Sequence, residues 1–101
     1  MEYKVIWEQS SELTYELEID YILFKWNYKE VQKFQNLVLE SLDRLSLNPD
    51  IGKYNSNLKL HSITISKQTT LYYRINQGSK IIELYLFWNN QKNPQELNKL
   101  L

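Results

Sequence analysis

Apolar and polar positions alternate in two different rhythms along this chain, and the change from one to the other marks its organisation. Tyr3, Val5 and Trp7 alternate with Lys4 and Ile6, the period of a short strand. Leu13, Leu17, Tyr21 and Phe24 then recur at steps of four, four and three, which predicts an amphipathic helix from about Ser11 to Trp26 with those four on its buried face. Ser10 is its expected N-cap, and Glu12 complements the positive helix end. Asn27 and Glu30 have capping-box spacing and open a second helix through Val31, Phe34, Leu37, Val38, Leu42 and Leu45. Pro49 ends it, because the residue before proline avoids helical dihedrals. With so few residues between them, the two helices must form an antiparallel hairpin.

After the turn Asn48-Pro49-Asp50-Ile51-Gly52, where Gly52 is free to take a positive φ, the period becomes two. Leu58 and Leu60 share one parity and Ile63 and Ile65 the other. That strand is therefore either buried on both sides or reset by a bulge near His61 and Ser62, the reading we favour. Pairing Ile75 with Ile82, Tyr73 with Leu84 and Leu71 with Leu86 puts the apolar residues of the last two strands on one face. It leaves Gln77 to Lys80 as the connecting loop and sets Arg74 opposite Glu83 and Tyr72 opposite Tyr85. The order is strand, helical hairpin, then a mainly antiparallel three-stranded meander: an α+β fold, β-α-α-β-β-β. The hairpin lies on one sheet face; the other, carrying Tyr72, Arg74, Tyr85 and Phe87, has nothing obvious in the chain to cover it. An uncovered aromatic face is expected to be an interface.

Composition narrows the chemistry. A chain of 101 residues suits one domain spanning 1–101, and 14% aromatic content argues for a packed core. There is no cysteine and one histidine, so disulfides, thiolate chemistry and multi-histidine metal sites drop out; no metal or other cofactor is expected. No segment approaches the roughly 18 apolar residues of a membrane span, and the N-terminus has no basic run leading into an apolar one. A soluble cytoplasmic protein without a membrane partner is the expectation. The zero net charge hides a split. Residues 1–50 carry ten acids against five bases, and residues 51–101 seven bases against two acids. Either the C-terminal half meets an acidic partner or the surface is merely uneven.

The N-terminal strand, the hairpin with Tyr21 and Trp26 near the end of its first helix, the Asn48 to Gly52 turn, the strand Leu71-Tyr72-Tyr73-Arg74-Ile75 and the ending Asn89-Asn90-Gln91-Lys92-Asn93-Pro94 together resemble the RelE/ParE superfamily of toxins. The resemblance covers nearly the whole length and implies the toxin of a bacterial type II toxin-antitoxin system, a class associated with plasmid stabilisation. It implies a cognate antitoxin as partner, in a hetero-oligomer, with a homodimer as the other possible assembly. The long hairpin and the Asn-Pro turn look more like the ParE branch, associated with protein binding to DNA gyrase, than the RelE branch of ribosome-dependent mRNA cleavage. Two positions depart from the pattern, since Gln91 and Thr70 stand where relatives tend to carry arginine. The chain is thus expected to be a binder rather than a catalyst; if it is an enzyme, it is an endoribonuclease. A degenerate member that only binds its antitoxin is the third reading.

Candidate residues follow. His61 is a candidate general base, although a lone histidine in a strand is more often a structural group. Arg74, Gln91 and Lys92 complete the catalytic candidates. Tyr72, Arg74, Tyr85, Phe87, Lys67 and Lys92 are the candidates for partner binding, because aromatic groups without clustered arginine suit a protein better than a nucleic acid. Glu12, Glu16 and Asp20, one helical turn apart, read as a solvated face.

Overall fold

The computed structural model describes residues 2–92 and 95–97; Asn93 and Pro94 of the expected closing turn lie outside them. β1 (Lys4–Trp7) is followed by α1 (Gln9–Lys25) and α2 (Tyr28–Leu47), a 3-10 turn (Pro49–Ile51), then β2 (Lys53–Asn55), β3 (Leu60–Thr64), β4 (Thr69–Asn76) and β5 (Ile81–Asn89). These strands form one sheet in the order β1-β5-β4-β3-β2, antiparallel except for β1, which lies parallel to β5 at the edge. The α+β layering is the expected one. The three-residue β2 is an addition that its polar sequence, Lys-Tyr-Asn, does not signal. Among the described residues no helix is long and apolar enough to cross a membrane.

Local chemistry explains the helix ends. Asn27 accepts a hydrogen bond from the Glu30 amide at 3.0 Å, as its spacing predicted, while the Glu30 carboxylate turns to Lys33. The α1 start differs from expectation. Glu8 holds the N-cap position, and Ser10 lies inside the first turn with its hydroxyl donated to the Tyr85 carbonyl at 2.6 Å. That bond leads to the feature that organises the sheet.

β4 and β5 keep the expected register from Asn76/Ile81 to Tyr73/Leu84, with Arg74 opposite Glu83, and then slip. Tyr72 pairs with Leu86 and Leu71 with Phe87, so Tyr85 is an extra residue bulged out of the ladder. The expected pairs Leu71 with Leu86 and Tyr72 with Tyr85 do not form. A bulge frees backbone groups from the ladder, and α1 supplies partners for them: Ser10 takes the Tyr85 carbonyl, and the Thr14 hydroxyl accepts from the Phe87 amide at 2.9 Å. β3, where a bulge was expected near His61 and Ser62, pairs regularly with β4 and is buried on both sides instead.

Past the bulge every β5 side chain changes face. Phe87, expected on the open side, is 2% exposed and packs under the helices with Trp7, Tyr15 and Phe34, at ring separations of 5.4, 5.3 and 6.5 Å. Leu86 and Trp88 turn to the far face and form a second apolar cluster with Leu97, against which Leu58, Tyr72 and Tyr85 pack. The far face is thus partly covered by the C-terminal segment. A strand buried on both sides reads as the continuous run Leu86-Phe87-Trp88.

α1 also buries a different face from the expected one. Ser11, Glu18 and Ile22 are buried and Tyr15 and Ile19 partly so, whereas Leu13, Leu17 and Phe24 are exposed. Apolar residues occupy both sides of this helix, so periodicity alone does not choose between them. The choice falls to Tyr15, which fits among Trp7, Phe34 and Phe87, and to Ser10 and Thr14, which meet the bulge. α2 is conventional, burying Val31, Phe34, Val38, Ser41 and Leu45.

Gly52 has φ −82° and makes no use of its freedom to take a positive φ. Glycine is required there for space, because a Cβ would overlap the Tyr73 hydroxyl and the Ser62 carbonyl oxygen. Tyr73 is fully buried and donates to the Pro49 carbonyl at 2.8 Å, tying the turn to the sheet. Gly52→Ala should therefore lower stability by about 1 to 3 kcal/mol in urea titrations, the usual cost of overpacking. Burial pushes the Tyr73 phenol up to about 12, Asp50 adding to the rise and the Gly52 amide opposing it. The folded state keeps this proton where the unfolded chain, near 10.0, releases it. The stabilisation is complete below that lower value and falls as pH climbs towards 12, so thermal melts should show a steep alkaline decline that Tyr73→Phe flattens.

Candidate functional site

Polar side chains converge where β4 begins and β5 ends, and each is held by a local cause. Asn90 is fixed by three bonds: its amide donates to the Gln68 carbonyl at 2.6 Å, its side chain donates to the Lys67 carbonyl at 3.3 Å, and its side-chain oxygen accepts from Thr70 at 2.9 Å. Asn89, buried, accepts from the Gln91 amide at 2.9 Å in a local turn that ends β5. Gln91 accepts from the Tyr21 hydroxyl at 3.1 Å, and Lys25 donates to that same hydroxyl at 3.2 Å. Lys25 also sits over the Tyr21 and Trp26 rings, 5.6 and 5.0 Å from their centroids.

Beneath this surface lies Glu18, 4% exposed, its carboxylate accepting from Thr69 at 2.7 Å. A buried carboxylate is costly unless hydrogen-bonded, and Thr69 is the group that makes this placement tolerable. Leu17, Glu18, Tyr21, Asn89, Gln91 and Lys92 line one cleft of about 240 Å³. A second cleft, of about 220 Å³, runs between Ile22, Trp26, Glu30, Phe34, Leu37 and the Ser66 to Gln68 turn. Lys67 is exposed at the rim of this second cleft, and its carbonyl accepts from the Asn90 side chain.

Of the catalytic and partner-binding candidates named from the sequence, this site holds Gln91 and Lys92, with Lys67 joined to it through Asn90, and the other candidates lie elsewhere. His61 lies between Tyr54 and Tyr73 on the helix side, tilted against the first and stacked on the second, with centroids at 5.0 and 5.5 Å. It pairs at the level of Tyr73, some 10 Å along the strands from Thr70. Arg74 lies a residue further on, on the far face, its guanidinium 4.8 Å from the Tyr85 ring centroid. Tyr72 and Tyr85 share that face, both half-buried by the Leu86, Trp88 and Leu97 cluster, and burial raises the Tyr72 phenol above its ordinary value. The far face thus keeps Tyr72, Arg74 and Tyr85 together; Phe87 has left it for the core. Lys92 bridges the two regions, its ammonium 5.9 Å from the Trp88 ring.

Glu18, Thr69 and Lys25 were not among the candidates read from the sequence. The available signal was Tyr15, Ile19 and Ile22, a second set at helical spacing with Glu18 in its midst: a charge inside an apolar face is where a polar site begins.

No family model matches the sequence, and no curated protein matches it either. Solved structures do. The Chromosomal ParDE toxin-antitoxin system of P. aeruginosa superposes with a TM-score of 0.71 at 12% identity, covering 86% of this chain and 95% of that one. The toxin-antitoxin complex RelBE2 of Mycobacterium tuberculosis gives 0.63 at 17%, covering 89% and 100%. An arginine-to-alanine double mutant of the E. coli toxin RelE in the free state gives 0.63 at 10%, covering both chains completely. The chain therefore has the fold of the RelE/ParE toxins.

The Glu18 to Thr69 bond can be tested apart from any activity. Thr69→Val removes the donor without changing volume and should cost about 1.5 to 3 kcal/mol in denaturant melts, the range for a hydrogen bond to a charged group. Tyr21→Phe, at the rim, should stay within about 0.5 kcal/mol of the parent.

Proposed function

We propose that this chain is the toxin of a type II toxin-antitoxin pair, of the ParE-like kind, which acts by binding a protein target, DNA gyrase, and is silenced by its antitoxin. The RelE/ParE fold supports the toxin assignment. The chemistry of the β5 exit carries the choice of mechanism. Cleaving RNA calls for cations on phosphate and a positioned proton acceptor. Here the exit presents amides already bonded into the fold, with Gln91 tied to Tyr21 and Asn89 to the Gln91 amide. The chain's two arginines are elsewhere, Arg44 in the last turn of α2 and Arg74 over Tyr85. The antitoxin's place in this reading is the far sheet face, where Tyr72, Arg74 and Tyr85 offer aromatic area and one guanidinium to an acidic or amphipathic segment.

One observation favours the second reading, a ribosome-dependent mRNA endonuclease. Glu18, Tyr21 and Lys92 line a single cleft with Lys25 bonded to its rim, so an acceptor and two cations are within one site. Inducing the chain alone in a bacterial host separates the readings. Growth arrest with SOS induction and intact mRNA is the expected result. Arrest with cleaved mRNA and no SOS response would move the function to the nuclease, and unimpaired growth would leave only an antitoxin-binding remnant.

A further inference from the structure

The outward face of α1 is apolar where a surface helix of this size is ordinarily polar. Leu13, Leu17 and Phe24 are 58%, 50% and 90% exposed, and at 100° per residue they fall within an arc of about 40° on the side opposite Ile22. Together they make a stripe three turns long that no described part of the chain covers. Its two flanks differ. Glu12, Glu16 and Asp20, all exposed, run along one side; Ser10, Thr14 and Tyr21, uncharged, run along the other. The helix's single lysine, Lys25, is engaged with Tyr21 and Trp26.

We propose that this stripe is the docking site of a basic amphipathic helix, one whose apolar ridge lies on Leu13, Leu17 and Phe24 while its lysines or arginines face Glu12, Glu16 and Asp20. Spacing at i, i+4 and i+11 suits a helix partner, since ridges at these intervals interlock with the ridges of another helix. The acidic flank selects the partner's charge. It also disfavours the two other occupants such a stripe invites. A second copy packed antiparallel about a two-fold axis would place each acidic flank against its own equivalent, and an anionic membrane would repel it. The contact is small by the standard of stable interfaces, so binding should be micromolar and sensitive to salt. The stripe borders the cleft at Leu17, which lines it, but the proposal uses neither Glu18 nor the β5 exit and so stands apart from the toxin reading.

The experiment uses the full chain and two fluorescent helical peptides of about 18 residues with leucines at i, i+4, i+7 and i+11, one flanked by lysines and its twin by glutamates. Anisotropy titrations should give a dissociation constant of order 1 to 100 μM for the lysine peptide and no saturation for its twin. The double variant Leu17→Ser with Phe24→Ser should weaken binding about tenfold or more. Glu16→Lys with Asp20→Lys, which leaves the apolar stripe whole, should do so too and supplies the charge test should the first variant misfold. Failure of the lysine peptide to bind the parent protein would overturn the proposal, as would equal binding by both peptides or undiminished binding by the charge-reversed variant. Sedimentation of the parent chain as a dimer that Leu17→Ser with Phe24→Ser dissolves would overturn it in favour of a second copy.

Discussion

The bulge at Tyr85 and the two hydroxyls that serve it hold the architecture together. An extra residue in β5 shifts the parity of everything after it, so Phe87 enters the aromatic core with Trp7, Tyr15 and Phe34 while Leu86 and Trp88 pass to the far face. Backbone groups displaced by the bulge must find partners, and Ser10 and Thr14 provide them from α1. Those bonds fix the rotation of the helix as well as its position. Once Ser10 and Thr14 look at β5, Tyr15 and Ile22 must face the core and Leu13, Leu17 and Phe24 must face out.

The functional surfaces are consequences of that rotation. It carries Glu18 inward to Thr69 and brings Tyr21 over Gln91, building the cleft at the β5 exit. On the far face, the displaced Tyr85 becomes the ring under the Arg74 guanidinium. One irregular residue therefore connects the core, the cleft and the exposed sheet face. A regular β5 would leave Phe87 outside and give the helix no reason to choose one apolar side over the other.

Much of this was legible in the residue pattern. The hairpin helices, the Asn27 cap, the stop at Pro49, the Gln77 to Lys80 loop and the Arg74 and Glu83 pairing all follow from local rules with single solutions. The faces were not legible. On α1 two apolar stripes compete, and on β5 a run of large residues conceals where parity changes, because Tyr85, Leu86, Phe87 and Trp88 would each be acceptable on either side. Both ambiguities are settled by contacts between residues more than 70 positions apart, such as Ser10 with Tyr85. The candidate site was read in part for the same reason. Gln91, Lys92 and Lys67 stand out in a polar turn, whereas Glu18 and Thr69 acquire meaning only when α1 is placed on the sheet.

The register of β4 against β5 is the most direct test of this account. Nuclear Overhauser effects across the two strands in isotope-labelled protein should connect the backbone of Leu71 with Phe87 and of Tyr72 with Leu86, and Phe87 ring protons with those of Trp7 and Tyr15. Cross-strand contacts linking Leu71 with Leu86 and Tyr72 with Tyr85, with the Phe87 ring free of the Trp7 and Tyr15 rings, would contradict it.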